Sequence, residues 1–186
     1  DRRSLFDRFT AVDVVRQVVG VGSVGMQVYL VLLEGRTGVD PLFLQVKQAG
    51  PAVYEAYTEP SRHRGHGERV ISGKRLIQSA TDIFAGWGSL DGKDYYVRQF
   101  RDMKIIPTTD LIAPRLVQFA TACGETLARA HARTGDPMAI DAYIGKGAKF
   151  AAVIGRFASL YADQNDRDHA QLVSAIAAGT VQSLPG

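Results

Sequence analysis

Three glycines in a G-x-G-x-x-G spacing, with a lysine farther along the chain, are the residues whose types and order best suit chemistry. The glycines are Gly20, Gly22 and Gly25, Ser23 lies between them, and the lysine is Lys47. Glycines let backbone N–H groups approach a phosphate closely, and an ammonium group offsets the phosphate charge. The pattern predicts that this stretch binds the phosphates of a nucleotide, and the alternative is a glycine-rich turn without a ligand.

The segments that flank the glycines decide between two kinds of nucleotide site. Residues 13–19 and 26–33 are rich in β-branched and aliphatic side chains, which is typical of strands. A dinucleotide-binding fold has a helix directly after its glycines, so a strand at 26–33 argues against that fold. In a protein-kinase-like lobe, the glycine loop joins two antiparallel strands and a lysine on the third strand contacts the phosphates. The predicted third strand, 42–47, ends at Lys47.

Side-chain alternation along the third strand predicts which of its faces lies in the core. Leu42, Leu44 and Val46 form a wholly aliphatic face, which we expect to be buried. Gln45 and Lys47 share the opposite face, which we expect to line a polar cleft. The alternative for Lys47 is a solvated lysine at the end of a strand.

A lysine in a cleft needs a carboxylate that keeps it charged and oriented. Glu68, at the start of the next predicted helix, is the first candidate, and Glu55 is the second. Glu68 could equally serve only as a favourable charge at a helix N-terminus. The backbone around Gln99 and Arg101, which leaves the last predicted strand, is predicted to bind the adenine, with an ordinary edge strand as the alternative.

These elements predict an α+β fold of the kinase-like kind. An antiparallel five-stranded β lobe with one helix comes first, and an α-helical lobe follows. The predicted elements of the first lobe are strands at 13–19, 26–33, 42–47, 83–86 and 95–100 and a helix at 68–82. We expect the lobes to span residues 1–104 and 105–186, with a hinge near Pro107 and a glycine-rich turn at 86–89.

The second lobe is predicted to consist of helices. Asp110 is expected to cap a helix that ends near Arg133, and Asp136 is interpreted as a turn residue after it. Later helices are predicted at 138–144, 149–163 and 166–178. The spacing of the apolar residues of the first helix predicts one buried face, which consists of Leu116, Phe119, Cys123, Leu127 and Ala130.

The composition narrows the compartment and the partners. Cys123 is the one cysteine, so no disulfide can form within the chain and a reducing, cytoplasmic location is expected. No apolar run reaches the ~18 residues of a membrane span, so no membrane partner is expected. The net charge of +3 and the pI of about 9.1 suit an anionic partner. Because the cations are scattered, with the densest set at 62–75, we do not expect that partner to be a nucleic acid.

Phosphoryl transfer also needs an aspartate beside the attacking hydroxyl and carboxylates that bind magnesium. Neither Asp136 nor the polar cluster at 161–169 has the spacing of such a catalytic loop or metal site. The cluster is interpreted as a junction between helices with capping carboxylates. The sequence therefore predicts no metal ligands among these residues.

Six blocks, spread over nearly the whole chain, resemble the bacterial domain-of-unknown-function family 2252. The blocks are VVGVGSVG (18–25), DPLFLQVK (40–47), DIFAGW (82–87), DYYVRQFRDMK (94–104), LARAHAR (127–133) and YADQNDRDH (161–169). The resemblance implies a protein-kinase-like fold with ATP and magnesium as cofactors. Members of the family are longer and carry, upstream, a Gly-Asp-x-His-x-x-Asn block and an Asp-Phe-Asp block that resemble a catalytic loop and a metal-binding aspartate. The residue after the lysine, often Glu in such sequences, is Gln48 here.

Two functions follow as hypotheses. In the first, the full-length protein is an ATP-dependent phosphotransferase that acts on an unknown small molecule or protein. The glycine loop would cover the phosphates, Lys47 would neutralise them and Glu68 would orient Lys47. This chain would then be the C-terminal portion, inactive alone, with the metal ligands in the upstream part of the same polypeptide. In the second, the chain is a non-catalytic interaction or scaffold domain whose glycine loop is only a turn.

Overall fold

A five-stranded antiparallel sheet and a covering helix form the first part of the fold. The computed structural model describes residues 3–18, 20–101 and 108–183. The strand order of the sheet is β1-β2-β3-β5-β4. The elements are α1 (Arg3–Phe6), β1 (Phe9–Arg16), β2 (Val28–Gly35), β3 (Pro41–Ala49), α2 (His66–Ile77), β4 (Gly86–Leu90) and β5 (Lys93–Gln99). The predicted α+β class with an antiparallel five-stranded sheet is confirmed.

Helices make up most of the described residues after the sheet. They are α3 (Thr109–Ile112), α4 (Leu116–Thr134), α5 (Pro137–Ile144) and α6 (Ala148–Ala177). Within the described ranges, no helix combines the length and the apolar character needed to cross a membrane.

The chain divides into two compact units, Asp1–Thr134 and Gly135–Gly186. The first unit holds the sheet, α2 and α4, and the second holds α5 and α6. The predicted lobe boundary between residues 104 and 105 lies outside the described residues, and it stays a prediction.

One face of the sheet forms an aliphatic core around three leucines. Leu42 and Leu44 are 5% and 6% exposed, and Leu33, which pairs with Leu42 across the strands, is 9% exposed. Phe6 and Phe84 pack against these leucines, with their ring centroids 5.9 Å apart. Each fully buried side chain of this kind stabilises the fold by about 1.5–3 kcal/mol. The prediction that the aliphatic face of β3 is buried is confirmed for Leu42 and Leu44.

Helix α2 covers the opposite face. The guanidinium of Arg75 lies 5.4 Å from the ring centroid of Trp87. Trp87 pairs with Tyr96 on β5, and Tyr96 pairs with Lys47 on β3. Because directly paired residues share a face of the sheet, α2 packs on the face that carries Lys47. Ile71 of α2 is fully buried.

The N-terminus of α2 is held against β5 by a close contact and a carboxylate. A Cβ on Gly67 would collide with the backbone oxygen of Tyr95, so a glycine is needed at this crossing. The carboxylate of Asp94 accepts hydrogen bonds from the hydroxyl of Ser89 at 2.6 Å and from the backbone N–H of His66 at 2.7 Å. These two hydrogen bonds, that of Ser89 first, hold the pKa of Asp94 below its usual value.

Strand β4 lies later in the chain than predicted. A strand is expected at 83–86, but only Gly86 of this range belongs to a strand, so that prediction is wrong for residues 83–85. The turn expected at 86–89 is also wrong, because these residues belong to β4 and pair with β5. The turn of this hairpin lies at Asp91 and Gly92, whose φ angles are +50° and +72°. The sequence also predicts a turn at these two residues, and that prediction is confirmed. Two successive positive φ angles match the twist of antiparallel strands in a short hairpin.

Two helix boundaries also differ from the predictions. Helix α2 ends at Ile77, because Gln78 adopts an extended backbone, so the helix predicted to residue 82 is wrong in its last part. Helix α6 is continuous over 30 residues, so the predicted junction before Asp166 is wrong. Its polar cluster lies along the helix surface, where Gln164 donates to Asp168 at 2.7 Å. Such pairs one turn apart support a helix rather than interrupt it.

The predicted caps have mixed outcomes. Thr108 rather than Asp110 is the N-cap of α3, and Asp110 lies in the first turn, so that prediction is wrong. Asp136, interpreted as a turn residue, is the N-cap of α5. Its carboxylate accepts hydrogen bonds from the N–H groups of Met138 and Ala139 at 2.9 and 3.2 Å.

The predicted buried face of α4 is wrong for four of its five residues. Leu116, Phe119, Leu127 and Cys123 are exposed, and Ala130 is half-buried. Helix α4 does contact α2, where its Arg133 side chain donates to a backbone oxygen of α2 at 3.2 Å. An amphipathic pattern indicates that a face can be buried, but it does not specify what covers that face.

Candidate phosphate-binding site

The glycine loop joins β1 to β2 through two tight turns. The N–H of Ser23 donates to Gly20 at 3.0 Å, and the N–H of Met26 donates to Ser23 at 3.0 Å. Gly25 has a φ of +79°, a conformation that side chains other than glycine rarely adopt. A Cβ placed on Gly20 or Gly22 would meet no atom within 4 Å, so the space beside the loop is open.

The structure brings Lys47 to this loop. Its Nζ donates to the hydroxyl oxygen of Ser23 at 3.4 Å, although the two residues lie 24 positions apart in the chain. Lys47 is partly buried and lies between Val28 of β2 and Tyr96 of β5 in the sheet. Val28 is 1% exposed, and burial raises the pKa of Tyr96. The lysine therefore leaves a poorly hydrated part of the sheet and ends at the loop.

A row of polar side chains crosses the same face beside Lys47. Gln45 is 2% exposed, and its Nε2 donates to the side-chain oxygen of Gln17 at 2.6 Å. The guanidinium of Arg98 donates to the Gln45 side-chain oxygen from Nε at 3.0 Å and from Nη2 at 2.8 Å. The amide of Gln45 is thus used from both ends, as a buried polar group requires. The row links β3 and β5 to the end of β1.

A second amide contact fixes the strand ends next to Lys47. The side-chain oxygen of Gln48 accepts from the N–H of Gln27 at 3.1 Å, and the Gln48 N–H donates to the Gln27 carbonyl at 2.8 Å. The hydroxyl of Tyr95 donates to the Gln27 side chain at 2.6 Å. A glutamate at position 48 could accept the same hydrogen bond from Gln27, so the departure from the family pattern leaves this contact possible.

Both candidate carboxylates for Lys47 have other partners. Glu68 lies 3.6 Å from Nδ1 of His63 and accepts from the N–H of Arg64 at 3.3 Å. Glu55 lies 3.3 Å from Nε of Arg69, and these two buried atoms face each other without the alignment of a hydrogen bond. Glu68 therefore serves the start of α2, and Glu55 anchors the loop before it.

The match to a family model extends over residues 1–175. The family is described as an uncharacterized protein conserved in bacteria, DUF2252. This chain belongs to the DUF2252 family. Neither the curated proteins nor the solved structures that were compared contain a match to it.

In this DUF2252 chain, the end of β5 has two engaged backbone N–H groups. Gln99 donates its N–H to the carboxylate of Asp82, and Phe100 donates its N–H to Phe43 at 2.8 Å. An adenine at this position would therefore have to use other backbone groups. Nε of Arg101 donates to the side-chain oxygen of Gln99 at 3.3 Å, and both residues line one cleft. The backbone that follows Arg101, at residues 102–107, lies outside the described residues.

The basic residues at 62–75 do not form one positively charged surface, because each has a different environment. Arg62 and Arg64 are exposed, Arg69 contacts Glu55, and Arg75 lies over an indole ring. Lys74 points into the same cleft as Arg101. Over the described ranges of the chain, no group of three or more His, Cys, Asp or Glu has an arrangement that could hold a metal ion.

Sequence reasoning missed Gln17, Arg98, Lys74 and Asp82. Arg98 could have been identified from the pairing of β3 with β5. Gln45 is predicted to lie on the polar face of β3, and Arg98 lies directly opposite it on β5. The positions of Lys74 and Asp82 depend on where α2 packs on the sheet, which local patterns do not encode.

Proposed function

We propose that this DUF2252 chain contributes the ATP-binding part of a kinase-like phosphotransferase. The observation that carries the proposal is the contact between Lys47 Nζ and the hydroxyl of Ser23 in the glycine loop. It joins a flexible cation to a loop of small residues, which is how a polyphosphate is held in kinase-like lobes.

The order of the elements supports the same proposal. The glycine loop joins β1 and β2, Lys47 lies on β3, and α2 packs on the face that carries Lys47. These are the parts, in the same order, of a kinase nucleotide-binding lobe. The carboxylate of Glu68, the first candidate partner of Lys47, contacts His63, and its pairing with Lys47 stays a prediction.

The residues present fit a nucleotide. Space is open beside Gly20 and Gly22, so a phosphate could approach the backbone there. Lys47 would offset the phosphate charge, and the hydroxyl of Ser23 would hydrogen-bond a phosphate oxygen. A bound magnesium ion would supply further charge neutralisation. Its ligands and the catalytic base are proposed to lie upstream in the same polypeptide, and the acceptor would be a small molecule or protein.

Nucleotide-dependent thermal stabilisation tests the proposal. ATP with magnesium at about ten times its Kd should raise the Tm of the wild type by about 3–5 °C, because binding stabilises the folded state. Lys47→Ala should remove most of the shift. Lys93→Ala, which removes an exposed lysine at the start of β5, should retain it. A wild type that is not stabilised by millimolar nucleotide would contradict the proposal.

A non-catalytic interaction domain is the second candidate function. It is favoured by apolar side chains that are exposed on α6, which are Phe150, Val153, Ile154, Phe157, Leu160 and Tyr161. Stacked, exposed rings such as those of Phe157 and Tyr161, with centroids 5.7 Å apart, are typical of binding surfaces. Failure to bind nucleotide, together with association that Phe157→Ser abolishes, would favour this function.

A further inference from the structure

A cleft of about 500 Å³ lies between the C-terminal part of α2, the loop before β4 and the end of β5. Its charged lining residues are Lys74, Arg98, Arg101 and Asp82. This volume is within the range of sites that hold small molecules. Neither Lys47 nor the glycine loop is among the described residues that line it.

The charges of the cleft are unbalanced. Asp82 is the carboxylate that faces the cations, and its two oxygens already accept hydrogen bonds from the backbone N–H groups of Phe84, at 2.8 Å, and of Gln99. In the part of the chain that the structure describes, none of the three cations forms an ion pair. Among the described residues that line it, the cleft therefore has a net positive charge that Asp82 does not neutralise.

One cation of the cleft is held in place, and a second is poorly solvated. The guanidinium of Arg98 is fixed by two hydrogen bonds to Gln45, a neutral acceptor that leaves its charge uncompensated. Lys74 is partly buried, and this burial, followed by the like charge of Arg98, lowers its pKa. A fixed guanidinium and a poorly solvated ammonium group gain the most from an anion that enters between them.

We infer that this cleft is a second binding site, which accepts the phosphoryl group of a small molecule. The planar guanidinium groups of Arg98 and Arg101 suit two oxygens of one phosphoryl group, and Lys74 acts as a point charge beside them. The inference gives Gln99 and Arg101 a place in an anion site rather than in an adenine contact. It does not depend on nucleotide binding at Lys47.

Titration calorimetry at constant ionic strength tests this site with two probes, inorganic phosphate and ribose 5-phosphate. Saturable binding is expected for at least one of them, and tighter binding of ribose 5-phosphate would identify an organic phosphate as the ligand. Lys74→Met should weaken binding by about tenfold, since a hydrogen bond to a charged group is lost. Arg101→Ala should weaken it less, because this side chain is exposed.

Two controls separate the site from folding defects and from the nucleotide site. Lys74→Met removes a poorly solvated charge, so it should fold at least as stably as the wild type. The part of the binding that Lys74→Met weakens should persist in Lys47→Ala, because Lys47 does not line this cleft. The inference is overturned if neither probe binds saturably, if Lys74→Met and Arg101→Ala bind as the wild type does, or if Lys47→Ala loses the part of the binding that depends on Lys74.

Discussion

The two faces of strand β3 differ in how their buried side chains are accommodated, one by apolar packing and the other by hydrogen bonds. On one face, Leu42 and Leu44 pack among aliphatic and aromatic groups, and this burial stabilises the sheet. On the other face, Gln45 is just as buried, but its side-chain amide is hydrogen-bonded at both its nitrogen and its oxygen. Lys47 lies on the same face, and its ammonium group reaches Ser23 of the glycine loop. A buried polar group must be hydrogen-bonded, so this face depends on matched polar partners where the other depends on apolar packing.

The largest expected effect comes from breaking the aliphatic face. Leu44→Ala leaves a cavity under β2 and β5, and it should lower the free energy of unfolding by about 2–5 kcal/mol. Urea denaturation measures this change. Leu90→Ala, at an exposed position on β4, should change it by less than about 0.5 kcal/mol. Equal losses in the two variants would contradict the assignment of the core to this face.

A smaller effect is expected where α2 meets the polar face. In Gly67→Ala the new Cβ collides with the backbone of Tyr95, so the unfolding free energy should fall by about 1–3 kcal/mol. Gly73→Ala, in the same helix, adds a Cβ to open space and should raise it by about 0.5–1 kcal/mol. Thermal unfolding of the two variants should therefore shift in opposite directions, and shifts of the same sign would contradict the packing of α2 described here.

The smallest effect concerns the carboxylate that links α2 to β5. The pKa of Asp94 is lowered in the folded protein, so its contribution to stability is present above the ordinary carboxyl value of 3.8 and is lost as the pH falls through the lowered value. Asp94→Asn should therefore destabilise the protein at pH 7, and the difference should shrink towards about pH 3.

Urea midpoints of the two proteins at both pH values measure this difference. Asp141→Asn, at an exposed position on α5, should leave the midpoint unchanged. A difference between Asp94→Asn and the wild type that is as large at acid pH as at neutral pH would mean that the hydrogen bonds of Asp94 are not linked to its ionisation.

Local patterns predicted the parts of the fold that depend on neighbours in sequence. The alternation of Leu42, Leu44 and Gln45 specified the two faces of β3, because a strand repeats every two residues. The proximity of Lys47 to the glycine loop could be predicted as well, since two consecutive hairpins bring the third strand back beside the loop. The use of these residues in nucleotide binding stays a prediction.

Features that depend on distant contacts could not be predicted. The segment that begins β4 contains Gly86 and Gly88, which favour turns, and it is a strand because it pairs with β5. The rotation of α2 is set by the contact between Gly67 and Tyr95, and this rotation places Glu68 beside His63. No local pattern contains that information, and the pairing of Glu68 with Lys47 stays a prediction.

Hydrogen–deuterium exchange with and without ATP and magnesium tests the central claim most directly, because it locates the bound nucleotide. Bound phosphates should protect the backbone of residues 20–27 and of the end of β3 around Lys47, and Lys47→Ala should lose that protection. Binding that protects other segments but leaves the glycine loop and the end of β3 unchanged would contradict the account.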